Sequence, residues 1–166
     1  MTASEEYVQG IARRLEVKGF DVKDGDLSSH FRLVAYRSQF RPQWLTKINL
    51  FTVLTETQVA TASTVEGYTK RALDYGVAQK GRFRGLQNGV AVISVILANS
   101  ADPEAITSAK IYLTRRAGAF AWPVLVDVSS GTRYRHEGRV FIGGVFANWM
   151  RQQIDDVVPE PPQPAS

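Results

Sequence analysis

The chain has no cysteine among its 166 residues, and its only histidines are His30 and His136. The absence of cysteine excludes disulfides, thiolate catalysis, cysteine-bound zinc and iron–sulfur clusters. Two histidines leave little for histidine-based catalysis or for a histidine metal site. The longest apolar run, residues 90–98, is about half of the ~20 residues that a membrane helix needs. We therefore expect a soluble cytoplasmic protein with no cofactor, no bound metal and no membrane partner.

The remaining composition is that of a globular domain. Hydrophobic residues make up 44% of the chain and charged residues 22%, a balance typical of folded proteins. A chain of this length buries enough surface to fold without covalent or metal cross-links. We expect one α/β domain over residues 1–156 and a disordered tail over residues 157–166, where four of the seven prolines lie.

Apolar periodicity and capping residues predict the order helix, three strands, helix, strand, helix, hairpin, helix. Ser63 to Glu66 forms the S-x-x-E pattern that begins a helix. The apolar run of residues 90–98 indicates a central strand covered on both faces. Three strands followed by a crossover helix predict an α/β three-layer sandwich, with a mixed sheet of five to seven strands and helices on both faces.

Two boundaries in the second half of the chain are specific enough to test. Asp102-Pro103 is a strong helix start, and we expect that helix to run to Arg116 and to end at Gly118. Residues 123–128 and 132–136 are joined by a three-residue connection that predicts a β-hairpin. In that hairpin Asp127 would face Arg133 as a cross-strand ion pair, which argues against a catalytic pair of Asp127 with His136.

The first 98 residues resemble the restriction-endonuclease-like core in the order of their elements. In that family an Asp on the second core strand and a Glu-x-Lys or Asp-x-Lys pair on the third hold magnesium beside the scissile phosphate. Here the corresponding strands, residues 31–37 and 47–53, contain no acid, and the nearest carboxylates are Asp26 and Glu56. The resemblance implies a nuclease-like scaffold without its metal site.

A second resemblance concerns the segment from Gly81 to Gly89, which reads GRFRGLQNG. Together with the apolar strand that follows, it is similar to a group of uncharacterised microbial α/β proteins, to which no activity is attached. The glycine spacing is not a P-loop, because no Gly-Lys-Ser/Thr follows and the segment leads into a strand.

The positive charge is concentrated in the middle of the chain. Residues 31–101 hold nine basic and three acidic residues, although the whole chain has a net charge of only +4. Two connections in this block combine basic side chains with aromatic rings. This combination suits nucleic acid, because the basic side chains neutralise phosphates and the rings stack on nucleobases. The candidate anion-binding residues are Arg37, Arg41, Trp44, Lys80, Arg82, Phe83 and Arg84. The alternative is that the rings close the core while the arginine stems pack beside them.

These observations predict a non-catalytic binding or assembly module, with no catalytic residue assigned. Its partner is anionic, either nucleic acid or an acidic protein, and the central basic segment contacts it. A divergent metal-dependent nuclease using Asp26 or Glu56 is one alternative. A self-assembling structural subunit, a homo-oligomer, is the other, built on sheet edges and the aromatic last helix. The main expectation is that the two basic connections meet on one rim of the sheet.

Overall fold

The computed structural model describes residues 1–25, 30–42, 46–80, 88–138 and 144–164. Within these ranges the helices are α1 (Ala3–Val17), α2 (Ala62–Lys80), α3 (Pro103–Ile111) and α4 (Gly144–Val157). The strands are β1 (Asp21–Asp24), β2 (Leu33–Arg41), β3 (Thr46–Ala60), β4 (Asn88–Ala101), β5 (Thr114–Arg116), β6 (Ala119–Asp127) and β7 (Thr132–Arg135). No described helix is long and apolar enough to cross a membrane.

The strands form one mixed sheet in the order β1-β2-β3-β4-β6-β5, and β7 also pairs with β6. The first three strands are an antiparallel meander, and β3, β4 and β6 are parallel. The short strands β5 and β7 lie one after the other along the outer edge of β6, both antiparallel to it. This topology confirms the predicted α/β class and the mixed sheet.

Helices cover both faces of the sheet, which confirms the three layers. On the first face, α1 and α4 enclose a core that includes Ile11, Leu50 and Trp122. We call this face the covered face. On the second face, α2 and α3 pack over β3, β4 and β6.

The second face is covered over only part of its width. On this side the helices make most of their contacts with β3 to β7, whereas on β2 Val34 and Tyr36 are half-buried and Ser38 and Phe40 are exposed. We call this uncovered part of the second face, bounded by the flank of α2, the open face.

The structure corrects the predicted end of the third helix. α3 ends at Ile111, and residues 114–116 form β5, which pairs with residues 119–121 of β6. Gly118 has a φ of 68° and lies in the tight turn between these two strands. A glycine with positive φ ends a helix or closes a hairpin equally well, so the residue type alone did not distinguish them.

The hairpin of β6 and β7 is present, but its predicted register is wrong by one residue. Asp127 pairs with Thr132, and Arg133 lies opposite Val126. The Asp127 carboxylate instead accepts hydrogen bonds from Ser129 and Ser130, which close the turn. An aspartate that caps its own turn in this way competes with a cross-strand ion pair.

Residues 158–164 lie against the domain, which corrects the prediction of a disordered tail. Val158 is fully buried, and its carbonyl accepts a hydrogen bond from Arg133. Tyr7 of α1 donates a hydrogen bond of 2.6 Å to the carbonyl of Pro159. Burial raises the pKa of the Tyr7 phenol, so this group is a neutral donor. Prolines lack N–H donors but keep their carbonyl acceptors, which is why side chains can hold this segment.

Candidate anion-binding face

Arg37, the first predicted anion-binding residue, is a structural side chain on the covered face. Its guanidinium donates to the carbonyl of Lys18 at 2.7 Å and to Oε1 of Gln153 at 2.7 Å. It also lies 4.7 Å from the centre of the Phe20 ring. Burial lowers the pKa of Arg37, while Asp156 nearby acts in the opposite direction. These contacts join the end of α1, β2 and α4.

Arg41 lies on the same face as Arg37, because alternate residues of a strand share a face. Its guanidinium is 5.8 Å from the centre of the Trp149 ring on α4. This arginine–aromatic contact is the structural alternative raised by the sequence, and it holds β2 against the last helix.

Lys80, at the end of α2, lies on the other side of the sheet. Its Nζ is 5.0 Å from the centre of the Tyr36 ring, and Tyr36 points away from the covered face because it alternates with Arg37. The structure therefore separates Lys80 from Arg37 and Arg41 by the thickness of the sheet. The other four candidates, Trp44, Arg82, Phe83 and Arg84, lie outside the described residues.

The described residues next to the two basic connections are nevertheless neighbours at one end of the sheet. Lys47, near the start of β3, pairs in register with Asn88, the first residue of β4. Phe40, near the end of β2, pairs with Lys47. Directly opposite residues of an antiparallel pair share a face, so the side chains of Phe40 and Lys47 lie on the open face together with Tyr36.

The open face combines exposed rings with positive charge. Phe40 is 60% exposed, and Tyr36 is half-buried two positions before it on the same side of β2. Lys23, Lys47 and Lys80 are exposed around these rings. The described acid of this face is Asp21, whose carboxylate lies 3.8 Å from the Lys23 ammonium. Three cations against one carboxylate leave this surface with a charge of +2.

A cleft of about 300 Å³ lies between these strands and α2. Lys23, Val34 and Tyr36 line its strand side, and Tyr75 and Lys80 line its helix side. Exposed polar atoms and aromatic carbon therefore meet in one concave surface, which is the usual composition of a ligand site.

The Tyr36 ring is held in a fixed position at the floor of this cleft. Its hydroxyl donates a hydrogen bond of 2.7 Å to Oδ1 of Asn49. The ring centre is 5.0 Å from that of Phe51, which in turn contacts Tyr75 edge-on at 6.0 Å. A ring fixed by its neighbours loses little conformational entropy when a ligand stacks on it.

The carboxylates proposed for a nuclease site do not form a metal-binding group in the described part of the chain. No group of three His, Asp or Glu side chains there is placed to hold a metal ion. Glu56 lies 3.9 Å from Nε of Arg32, and Asp26 is outside the described residues.

The sequence reasoning missed Lys23, Tyr36 and Lys47 as members of this face. Strand alternation places residues 36 and 40 on one side of β2, and this signal is readable from the sequence. The pairing of β1 and β3 with β2, which adds the two lysines, needs the strand register.

No protein-family model matches this chain, and no curated protein matches it. The function is therefore inferred from the geometry of the open face.

Proposed function

We propose that this protein is a non-catalytic module that binds single-stranded nucleic acid on its open face. The observation that carries the proposal is the position of Lys80, whose ammonium lies 5.0 Å from the centre of the Tyr36 ring at a cleft lined by both residues. At this point a phosphate and its neighbouring base would meet a cation that lies over an aromatic ring.

The aromatic rings and the lysines of the open face contribute to the affinity in different ways. Each base that stacks on an aromatic side chain contributes about 1–3 kcal/mol, and Tyr36 and Phe40 are the rings available for this. Lys23, Lys47 and Lys80 neutralise backbone phosphates and release their counterions. In a duplex the faces of the bases are already stacked, so exposed rings favour a single strand.

The exposed rings also favour nucleic acid over an acidic protein. An acidic protein would use the lysines, but carboxylates gain nothing from the faces of Phe40 and Tyr36, which carry partial negative charge. Assembly through the β1 edge is disfavoured, because this edge strand is only four residues long and carries Asp21, Lys23 and Asp24. Short, charged edges block strand addition.

The test is the salt dependence of binding to a fluorescent thymidine oligonucleotide, measured by anisotropy. If three lysines contact phosphates, the slope of log K against log salt is about −2 in the wild type. Lys80→Gln should weaken binding and make the slope shallower by about 0.7. Lys110→Gln is the matched control, because Lys110 lies 5.6 Å from the ring centre of Tyr134 in the same type of contact elsewhere on the protein.

A second pair of variants tests the stacking surface. Phe40→Ala removes an exposed ring and should weaken binding about fivefold or more, since one stacked base is worth about 1–3 kcal/mol. Ile111→Ala removes a side chain that is similarly exposed, at 67%, away from the open face. No binding at low salt, or equal losses in the two members of either pair, would refute the proposal, and stronger binding of polyglutamate would favour an acidic protein.

A further inference from the structure

A second cleft lies on the same side of the sheet, further along α2. It has a volume of about 480 Å³, and its lining includes His30, Arg32, Thr55, Glu56, Tyr68 and Arg71. This cleft lies at the start of β2 and the first half of α2, whereas the first cleft, which Lys80 lines, lies at the end of α2. Neither composition nor the predicted basic connections pointed to it.

One side of α2 lines both clefts. Tyr68, Arg71, Tyr75 and Gln79 follow each other at spacings of three and four residues, which places them on one helix stripe. Tyr68 and Arg71 line the second cleft, and Tyr75 and Gln79 line the first. The edge-on contact of Phe31 with Tyr75, at 5.4 Å, lies between them.

The two guanidinium groups of the second cleft carry its positive charge. Arg32 lies 3.9 Å from a carboxylate oxygen of Asp24 and 3.9 Å from one of Glu56, at the long end of the ion-pair range. Arg71 lies 5.2 Å from the ring centre of Tyr68 and remains exposed. Glu56 in the lining and Asp24 beside Arg32 are the described acids here, so an oxyanion would compete with them for the guanidinium of Arg32.

The floor of this cleft holds an unsatisfied hydroxyl. Thr55 is only 4% exposed, and its Oγ1 has no hydrogen-bond partner in the described part of the protein. Leaving such a group unpaired costs about 1–3 kcal/mol. Thr55 shares the lining of this cleft with the two arginines, and a buried hydroxyl is a donor suited to an oxyanion, since charge-assisted hydrogen bonds are the strongest that it can make.

We propose that Arg32 and Arg71 bind a phosphate of the same strand that Lys80 binds, with Thr55 at the floor of the site. This inference rests on the proposed function, and it gives the strand a path along α2. Arg71 and Lys80 are nine residues apart on the helix, which corresponds to about 14 Å. The protein then has two separate phosphate contact points, one in each cleft along α2.

The experiment compares Arg71→Gln, Lys80→Gln and the double variant for oligonucleotide binding. Arg71 is exposed, so the variant retains the fold, and Arg13→Gln on α1 is the matched control. We expect Arg71→Gln to weaken binding about tenfold, as for one lost charge-assisted hydrogen bond. Its salt slope should be shallower by about 0.7. The two losses should multiply in the double variant, because sites this far apart act independently.

The outcomes separate this inference from the proposed function. If Lys80→Gln weakens binding and Arg71→Gln binds like the wild type, the second phosphate site is refuted while the proposed function stands. If no oligonucleotide binds the wild type, the proposed function fails, and an NMR titration with inorganic phosphate decides about the cleft. Amide shifts at Thr55 and Arg71 that disappear in Arg71→Gln would support an oxyanion site, and the absence of shifts would refute it.

Discussion

Arg37 of β2 and Gln153 of α4 are joined by a hydrogen bond of 2.7 Å between the guanidinium Nη2 and the amide oxygen Oε1. The same guanidinium donates to the carbonyl of Lys18, just beyond the end of α1. One basic side chain therefore connects a strand to two helices. In the sequence it is part of a basic block, but in the structure it is part of the scaffold.

Replacing Arg37 with methionine should lower stability and leave nucleic-acid binding unchanged. The variant keeps an apolar stem beside Phe20 but loses the hydrogen bonds, for which we expect a loss of about 1–3 kcal/mol in the free energy of unfolding. Urea denaturation measures this loss. Arg13→Met on the exposed side of α1 is the control. An unchanged unfolding midpoint, or weaker oligonucleotide binding in the folded protein, would contradict the structural role.

A second prediction concerns how closely α2 approaches the sheet, and it compares alanine substitutions at two glycines of that helix. A Cβ at Gly76 would lie 2.9 Å from Cγ2 of Val92 and 3.3 Å from Cδ2 of Phe51, whereas a Cβ at Gly67 would meet nothing within 4 Å. Gly67→Ala should therefore stabilise the protein by about 0.5–1 kcal/mol through helix propensity. Gly76→Ala should destabilise it by about 1–3 kcal/mol, because the helix must move away from the sheet.

Thermal and urea unfolding of the two glycine variants give the answer directly. The opposite signs are the important feature, since both substitutions make the same chemical change in one helix. Equal stabilisation by both would mean that α2 does not approach the sheet closely at Gly76.

A third prediction concerns His136 and the pH dependence of the protein's stability. This histidine is only 5% exposed, and its ring centre is 5.1 Å from that of Trp122. Burial lowers the pKa of His136, as does the positive charge of Arg151, while a hydrogen bond with the backbone of Ile111 acts in the opposite direction. The folded protein therefore takes up the proton less readily than the unfolded chain does. Stability should be lost as pH falls below the ordinary histidine pKa of 6.5.

The measurement is the urea midpoint between about pH 7.5 and pH 5.5, a range in which histidine is the side chain that ordinarily titrates. His136→Asn should show a smaller fall in stability over this range than the wild type. His30→Asn, which changes an exposed histidine, should show the same fall as the wild type. A wild-type midpoint that does not change with pH would contradict the burial of a neutral His136.

The layers of the fold could be predicted from local patterns, whereas the short edge strands could not. Apolar runs and capping residues identify the long elements, because those signals are repeated over many residues. Strand β5 has three residues, and only its pairing with residues 119–121 makes it a strand. The sequence predicted a strand that begins at Pro123, but Pro123 lies inside β6, which begins at Ala119. Neither β5 nor β7 pairs with Pro123, so its missing N–H costs no hydrogen bond on that edge.

The sequence could predict the chemical type of the candidate site but not which residues form it. Basic and aromatic residues near residue 40 and residue 80 suggested an anionic partner, but they did not show which face of the sheet each side chain occupies. Arg37 and Tyr36 are adjacent in the chain and lie on opposite faces, so one residue of register separates a scaffold arginine from a binding surface. Lys23 reaches the open face through the pairing of β1 with β2, a non-local contact.

The most direct test of the open face is an amide chemical-shift map of the labelled protein titrated with a thymidine oligonucleotide. The proposed function predicts the largest shifts at Gln79 and Lys80 of α2 and at Phe40 and Lys47 on the neighbouring strands. The amide chemical shifts of Lys18 and Gln153, on the side of the covered face, should stay unchanged. Largest shifts on α1 and α4, or no shifts at low salt, would contradict it.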